Sequence, residues 1–374
     1  MPKRMKVLTV IGTRPEAIKM APVVRALSSH PEIESKLCVT AQHRSMLDQV
    51  LALFRLTPDF DLDVMEPEQT LSRLTAKILS GIDGVLSTWA PDLVLVHGDT
   101  TTTLAAALGA FYRKVPVGHV EAGLRTRNIH SPWPEEANRH LTSGLAELHF
   151  APTERNRENL LAEGVRADRI FVTGNTVIDA LRDIVAQIRR DEQLAPSLRV
   201  RFSFLDENRP MALVTGHRRE NLGDNFQQVC LALRDLAASG VQIVYPVHLN
   251  PSVRESVNRL LKGHPNVVLL EPQEYLPFVY LMERSDIIIT DSGGIQEEAP
   301  SLGKPVLVTR NTTERQEAVE AGTIHLVGTQ RERIVEEARA LLSDPVRYRQ
   351  MSSATNPYGD GRAAARIVER IVHV

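Results

Sequence analysis

A chain of 374 residues, 43% hydrophobic and 24% charged, has the length for two domains and the composition of an ordinary globular protein. Its net charge of −2 gives no basic footprint for a nucleic acid or an acidic membrane surface. Cys38 and Cys230 are too few and too far apart for a disulfide or zinc framework, no apolar run approaches membrane-spanning length, and "VLTVI" near the N-terminus is too short for a signal-peptide core; these features predict a cytoplasmic α/β protein.

Apolar runs that read as strands come in two series. The first comprises 6–11, 36–40, 92–97, 116–120 and 169–173; the second comprises 211–215, 241–246, 266–270, 286–290 and 305–308. Helical patterns lie between them, among them 18–29, 100–112, 225–239 and 329–343. The alternation predicts two doubly wound, Rossmann-like domains with strands buried on both faces. The charged, proline-interrupted stretch 190–210 separates the series, with a hinge expected near 174–178. The expected division is 1–175 and 176–361, and a last helix at 362–374 crosses back to the first domain.

Ligands of such sheets sit beyond the carboxyl ends of the strands, and the unusual residues cluster there. In "IGTRPEAIKMAP" Gly12, Arg14 and Lys19 surround the first strand-to-helix turn, a combination that suits a diphosphate as well as a plain turn. In "LVLVHGDTTTT" Asp99 or Thr100 is either a helix cap or a working side chain. His97/Asp99 and His119/Glu121 share a spacing that a metal could use, but no third ligand pattern accompanies them, and proton transfer or sugar binding suits the acids better. "SPWPEEANR" predicts Pro134 at the first helical position with Glu135 and Glu136 favoured by the positive helix end. "VTGHRREN" offers Gly216 and His217 to a phosphate, and "DSGGIQEEAPSLGKP" sets Ser292, Gly293 and Gly294 as a phosphate cradle ahead of two acids, Glu297 and Glu298. The chain contains neither G-x-G-x-x-G nor a Walker motif, which argues against an NAD enzyme or a P-loop NTPase; no cofactor is expected.

Taken in order, "GTRPEAIKMAP", "AQHR", "HGDTTTT", "GHVEAGLRT", "SPWPEEANR", "TGNTVIDAL", "VTGHRREN", "VYPVHLNP", "DSGGIQEEAPSLGKPVLV" and "NPYGDG" resemble the non-hydrolysing bacterial UDP-N-acetylglucosamine 2-epimerases over nearly the whole chain. The resemblance implies a GT-B type fold with an interdomain active-site cleft, a homodimer, and interconversion of UDP-GlcNAc and UDP-ManNAc. It implies functional roles around sugar and pyrophosphate for Asp99, Glu121, Glu135 and His217. It further implies nucleotide-sugar contacts for Arg14, Lys19, Gln273, Phe278, Ser292, Gly293, Gly294, Glu298 and Arg315. Glu298 is expected on the ribose, with Glu297 a solvated or helix-supporting neighbour. A second UDP-GlcNAc as activator would involve Gln42, Glu136 and His248; no metal is implied.

The route implied is elimination of UDP to 2-acetamidoglucal followed by readdition, because C2 has no neighbouring carbonyl to acidify its proton. A hydrolysing 2-epimerase, a GT-B glycosyltransferase and a non-catalytic nucleotide-sugar sensor are the alternatives. Stoichiometric release of UDP with free sugar, transfer to an added acceptor, and binding without turnover distinguish them.

Overall fold

The protein, represented by a computed structural model, is described for residues 3–41, 44–66, 68–216 and 223–373, the side chain of Ser45 excepted. It divides into two compact units, Met1–Ala180 with Tyr358–Val374, and Leu181–Pro357. The first holds β1 (Met5–Ile11), β2 (Ile33–Val39), β3 (Phe60–Asp61), β4 (Leu93–His97), β5 (Val117–Val120), β6 (Leu148–Ala151) and β7 (Ile170–Val172). Among the described residues they form one parallel sheet in the order β3-β2-β1-β4-β5-β6-β7. The second holds β8 (Met211–Thr215), β9 (Gln242–Pro246), β10 (Val267–Leu270), β11 (Ile287–Thr290), β12 (Val306–Val308) and β13 (Ile324–Leu326), parallel in the order β10-β9-β8-β11-β12-β13.

All five residues of β4 are buried, as a strand covered on both faces requires. On one face Leu8, Val10, Val94 and Val96 pack with Ile78 and Ile82 of helix Leu71–Trp89 and with Ala105, Ala106 and Ala110 of helix Thr101–Tyr112. In the second unit Ala212, Val214, Ile243, Ile287 and Ile289 pack with Leu233, Leu236 and Leu341. Each sheet reverses its winding once, between β1 and β4 and between β8 and β11. The loops leaving two such neighbours diverge and open a crevice.

The chain leaves the first unit inside helix Thr176–Arg190, and residues 190–210 are not a bare separator but carry helix Leu194–Arg201 within the second unit. It returns as helix Ala363–Val372, which packs against helix Arg14–Ser29. Ala363, Ala364, Ile367, Val368 and Ile371 form its buried stripe. The Asp179 carboxylate accepts from the N–H groups of Ala363 (3.1 Å) and Ala364 (2.9 Å), satisfying two donors that a helix start otherwise leaves open. Among the described residues no helix is long and apolar enough to cross a membrane.

Candidate active site

The first crevice begins at Gly12. A Cβ there would collide with the hydroxyls of Thr40 and Thr102, which sit 2.9 Å apart beneath the turn, so only glycine lets the chain pass. Glu16, 2% exposed, turns its carboxylate back into this turn. Its Oε2 accepts from the N–H groups of Gly12 (3.0 Å) and Thr13 (2.7 Å), and its Oε1 from the hydroxyl of Thr100 (2.7 Å), with the Thr103 hydroxyl 3.2 Å away. One carboxylate therefore fastens the loop after β1 to the loop after β4. Burial raises its pKa, and the hydrogen bonds from Thr100, Thr13 and Gly12 oppose that rise only in part.

Parallel register brings the next acids together. His97 pairs with Val120, and Gly98 N–H continues the ladder to Val120 O at 2.9 Å, so Asp99 and Glu121 leave the sheet side by side. Thr100, not Asp99, caps the following helix: its hydroxyl accepts from Thr103 N–H. Asp99 instead accepts from Arg139 at 2.5 Å, and its backbone carbonyl from the Asn138 amide at 2.8 Å. Glu121 has φ of 63°, a left-handed conformation uncommon for a residue with a long side chain and a form of strain concentrated at functional sites. Its Oε2 is ion-paired with Lys19 and accepts from the Asn175 amide at 3.1 Å.

Behind the acids lie three buried histidines, His97, His119 and His149, on adjacent strands. Burial depresses their pKa values to about 4, 3 and 4 respectively, so they are neutral imidazoles near pH 7. His119 Nε2 meets Gly98 O at 2.7 Å and supports the turn, while His97 Nε2 lies 3.7 Å from Glu121 Oε2. Among the described residues no group of three His, Cys, Asp or Glu side chains is placed to hold a metal ion.

Glu135 opens helix Glu135–Leu145, with Pro134 as its N-cap rather than its first helical residue. Positions 135, 138 and 139 share a helix face, so Glu135 stands one turn from the two residues that grip Asp99. Its Oε2 is buried and meets no hydrogen-bond partner among the described residues. Glu136 differs completely. It is 0% exposed; Oε1 accepts from the N–H groups of Thr126 (2.9 Å) and Arg127 (3.0 Å), and Oε2 from Arg139 (2.9 Å). Burial favours its neutral form, but these bonds outweigh it and hold the pKa below the ordinary value. Glu136 thus braces the 126–127 turn and orients Arg139 from inside the fold.

In the second unit the loop after β11 begins at Asp291. Ser292 caps helix Gly293–Glu298, with Ser292 O accepting from Gln296. The Arg315 guanidinium lies over Gly293, whose hypothetical Cβ would be 2.9 Å from Arg315 Cζ; glycine is needed for the cation to approach the helix start. Glu297 holds that cation, with Arg315 Nε at 3.0 Å and an Arg315 terminal nitrogen at 2.8 Å from its Oε1. The expectation that Glu297 is solvated is therefore wrong: it is 2% exposed and supports the arginine. Glu298 is also buried and accepts from the Tyr275 hydroxyl at 2.6 Å. Burial and that carboxylate push the Tyr275 pKa well above its ordinary range.

Gln273 accepts from Arg201 at 2.8 Å, Phe278 is partly buried on helix Tyr275–Arg284, and His248 is exposed, its Nδ1 accepting from Asn250 N–H at 3.1 Å. Arg14 is exposed at the start of its helix and Gly294 is half-buried. Gln42 and His217 lie outside the described residues. Glu16, Arg139 and Asn175 were not among the expected site residues. Glu16 and Arg139 had a signal, an acid three residues after a helix-capping threonine and a cation three to four residues after paired acids.

Against this geometry, the sequence model of the family described as UDP-N-acetylglucosamine 2-epimerase matches residues 25–372. The chain belongs to the UDP-N-acetylglucosamine 2-epimerase family. It is similar to UDP-N-acetylglucosamine 2-epimerases of Escherichia coli K12 (61% identical over 369 residues, 98% of each chain) and Yersinia pestis (60% over 369 residues, 98% of each). The crystal structure of UDP-GlcNAc 2-epimerase from Neisseria meningitidis bound to UDP-GlcNAc superposes with a TM-score of 0.92 at 54% identity, covering 99% of this chain and 100% of that one. Like these members of the epimerase family, the chain has the two-domain, Rossmann-like α/β fold of the GT-B type.

Proposed function

We propose that this chain inverts C2 of UDP-N-acetylglucosamine, giving UDP-N-acetylmannosamine reversibly, by eliminating and re-adding UDP. The observation that carries the reading is three carboxylates of the first unit in three different settings: Asp99 clamped by Arg139, Glu121 paired with Lys19, and Glu135 carrying a buried oxygen that meets no hydrogen-bond partner among the described residues. Inversion through a planar intermediate needs proton carriers for both faces of C2, and a set of unlike carboxylates provides them.

In the forward direction a carboxylate takes the C2 proton while the C1–O bond breaks. The C2–H electron pair becomes the C1=C2 double bond of 2-acetamidoglucal, and the C1–O pair leaves with UDP. Return of a proton to the opposite face of C2, with attack of a diphosphate oxygen at C1, completes the exchange with no net oxidation. We assign the sugar chemistry to the first unit, with Asp99, Glu121 and Glu135 as the proton-transfer and positioning set and Arg14 and Lys19 as cationic contacts. The second unit is assigned the uridine diphosphate, through Ser292, Gly293, Gly294, Arg315 and His217 at the phosphates and Gln273, Phe278 and Glu298 at the nucleoside. Donors aimed at the leaving diphosphate stabilise the charge that develops as C1–O breaks. The same reading includes action in the cytoplasm as a homodimer, and a second UDP-GlcNAc bound as an activator near Gln42 and His248, with Glu136 supporting from within.

An NMR time course with UDP-GlcNAc in D2O tests the proposal. Both epimers should appear with deuterium at C2 and with UDP-sugar conserved. Product that keeps its original C2 proton rules out elimination, and UDP released in step with free sugar makes the chain a hydrolase.

A further inference from the structure

The segment Thr173-Gly174-Asn175-Thr176 belongs to a motif to which the proposed chemistry gives no role. Asn175 is 4% exposed and joins three distant parts of the first unit. Its backbone N–H donates to Tyr358 O at 2.7 Å, its side-chain Oδ1 accepts from Val177 N–H at 3.0 Å, and its Nδ2 donates to Glu121 Oε2 at 3.1 Å. The amide cannot be turned over. Val177 offers a donor, so the oxygen must face it, and the nitrogen is left to face the carboxylate. Asparagine meets both demands at once; aspartate would set one anion against another, and serine would serve Val177 but fall short of Glu121.

Glu121 needs such a partner. Its left-handed backbone projects the side chain from just beyond the end of β5. Lys19 supplies opposite charge to Oε2 but reaches it on a flexible stem. The Asn175 amide meets the same oxygen from a backbone pinned on both sides, by Tyr358 and by the helix it caps. Two donors hold Oε2, and Oε1 would lie 3.8 Å from a Cβ at Gly98, next to the turn that carries Asp99. We infer that Asn175 is a positioning residue that holds the Glu121 carboxylate in its working orientation; this rests on the assignment of Glu121 to the proton-transfer set.

The test compares full-length wild type, Glu121→Gln, Asn175→Ser and Asn175→Asp in turnover of UDP-GlcNAc, in C2 exchange with solvent and in thermal melting. Asn175→Ser keeps a cap for Val177, so its Tm should stay close to wild type. Its kcat should fall about 10–100-fold, the scale of misplacing a reacting group by an ångström, with KM changed less than about threefold. Asn175→Asp keeps the same cap and places a like charge against Glu121, so the acid limb of kcat/KM should move up by about one pH unit or more. Lys19 and His97 face Glu121, with Asp99 acting through His97, and all three are unchanged in both variants. Wild-type kcat in Asn175→Ser, a loss confined to KM or Tm, or an unmoved acid limb in Asn175→Asp overturns the inference. Should Asn175→Ser fail to fold, the pH profile of Asn175→Asp decides. Wild-type turnover in Glu121→Gln removes the underlying assignment instead; an inactive Glu121→Gln beside a fully active Asn175→Ser refutes the Asn175 role alone.

Discussion

Removing the Glu16 side chain should damage the first unit more than any exposed acid would. Glu16→Ala leaves the N–H groups of Gly12 and Thr13 without their shared acceptor in the buried turn. Each stranded donor costs about 1–3 kcal/mol, so the pair costs about 2–6 kcal/mol. The two hydroxyls add little, because Thr100 and Thr103 keep each other at 3.1 Å and Thr103 keeps His97 O at 2.5 Å. For a unit of roughly 200 residues, about 2–4 °C per kcal/mol converts this to a fall in Tm of about 5–20 °C. Glu16→Gln should be mild, losing less than about 1 kcal/mol: its oxygen serves the two N–H groups and its NH2 group can donate to hydroxyls that reorient to accept. The glutamine should also change the pH response. The folded state binds the Glu16 proton more tightly than the unfolded chain, whose value is near the ordinary 4.5. The Glu16 contribution therefore favours folding fully below that value and is lost as pH rises through the folded pKa. Scanning calorimetry of the three proteins across pH 4–8, with urea titrations, measures both effects. An alanine variant melting within about 2 °C of wild type, a glutamine variant as damaged as alanine, or an unchanged pH slope in Glu16→Gln would refute the account.

Two further substitutions probe other parts of the fold. Gly293→Ala forces the Arg315 guanidinium from the helix start and loosens its pair with Glu297; UDP affinity by calorimetry should drop about tenfold, the loss of one charge-assisted contact, with little change in Tm. Asp179→Ala uncaps helix Ala363–Val372; stability of the first unit should fall by about 0.5–2 kcal/mol, read by denaturant titration, with amide exchange accelerated first at Ala363 and Ala364.

Most strands were legible because each is an apolar run framed by turn residues. β8 was expected at 211–215 and is Met211–Thr215, and β11 lies within 286–290. The strands outside the expected set are short: Phe60–Asp61, Leu148–Ala151 and Ile324–Leu326, two of them at sheet edges, too brief to show a period. Acids were legible as a group but not one by one. Spacing could not tell Glu135, with a buried oxygen that meets no partner among the described residues, from Glu136, whose oxygens are both engaged by its own chain. That difference lies in where residues 126–127 return. Glu297 misled for the same reason: its partner Arg315 is 18 positions away, beyond any helical spacing. Asn175 shows the limit most plainly, since the acid that it reaches is 54 positions earlier in sequence.

The return of Tyr358–Val374 to the first unit also sets an order in time. During synthesis the first unit must wait without its final helix while all of Leu181–Pro357 is made, on the order of ten to thirty seconds at about 5–20 residues per second. The face of helix Arg14–Ser29 that this helix will cover remains open for that interval. The second unit, contiguous in sequence, is complete before the first one can close. A frameshift or stop just ahead of the codons for Ala363–Val372 would therefore strike the unit made earliest, and spare the unit made just before that helix.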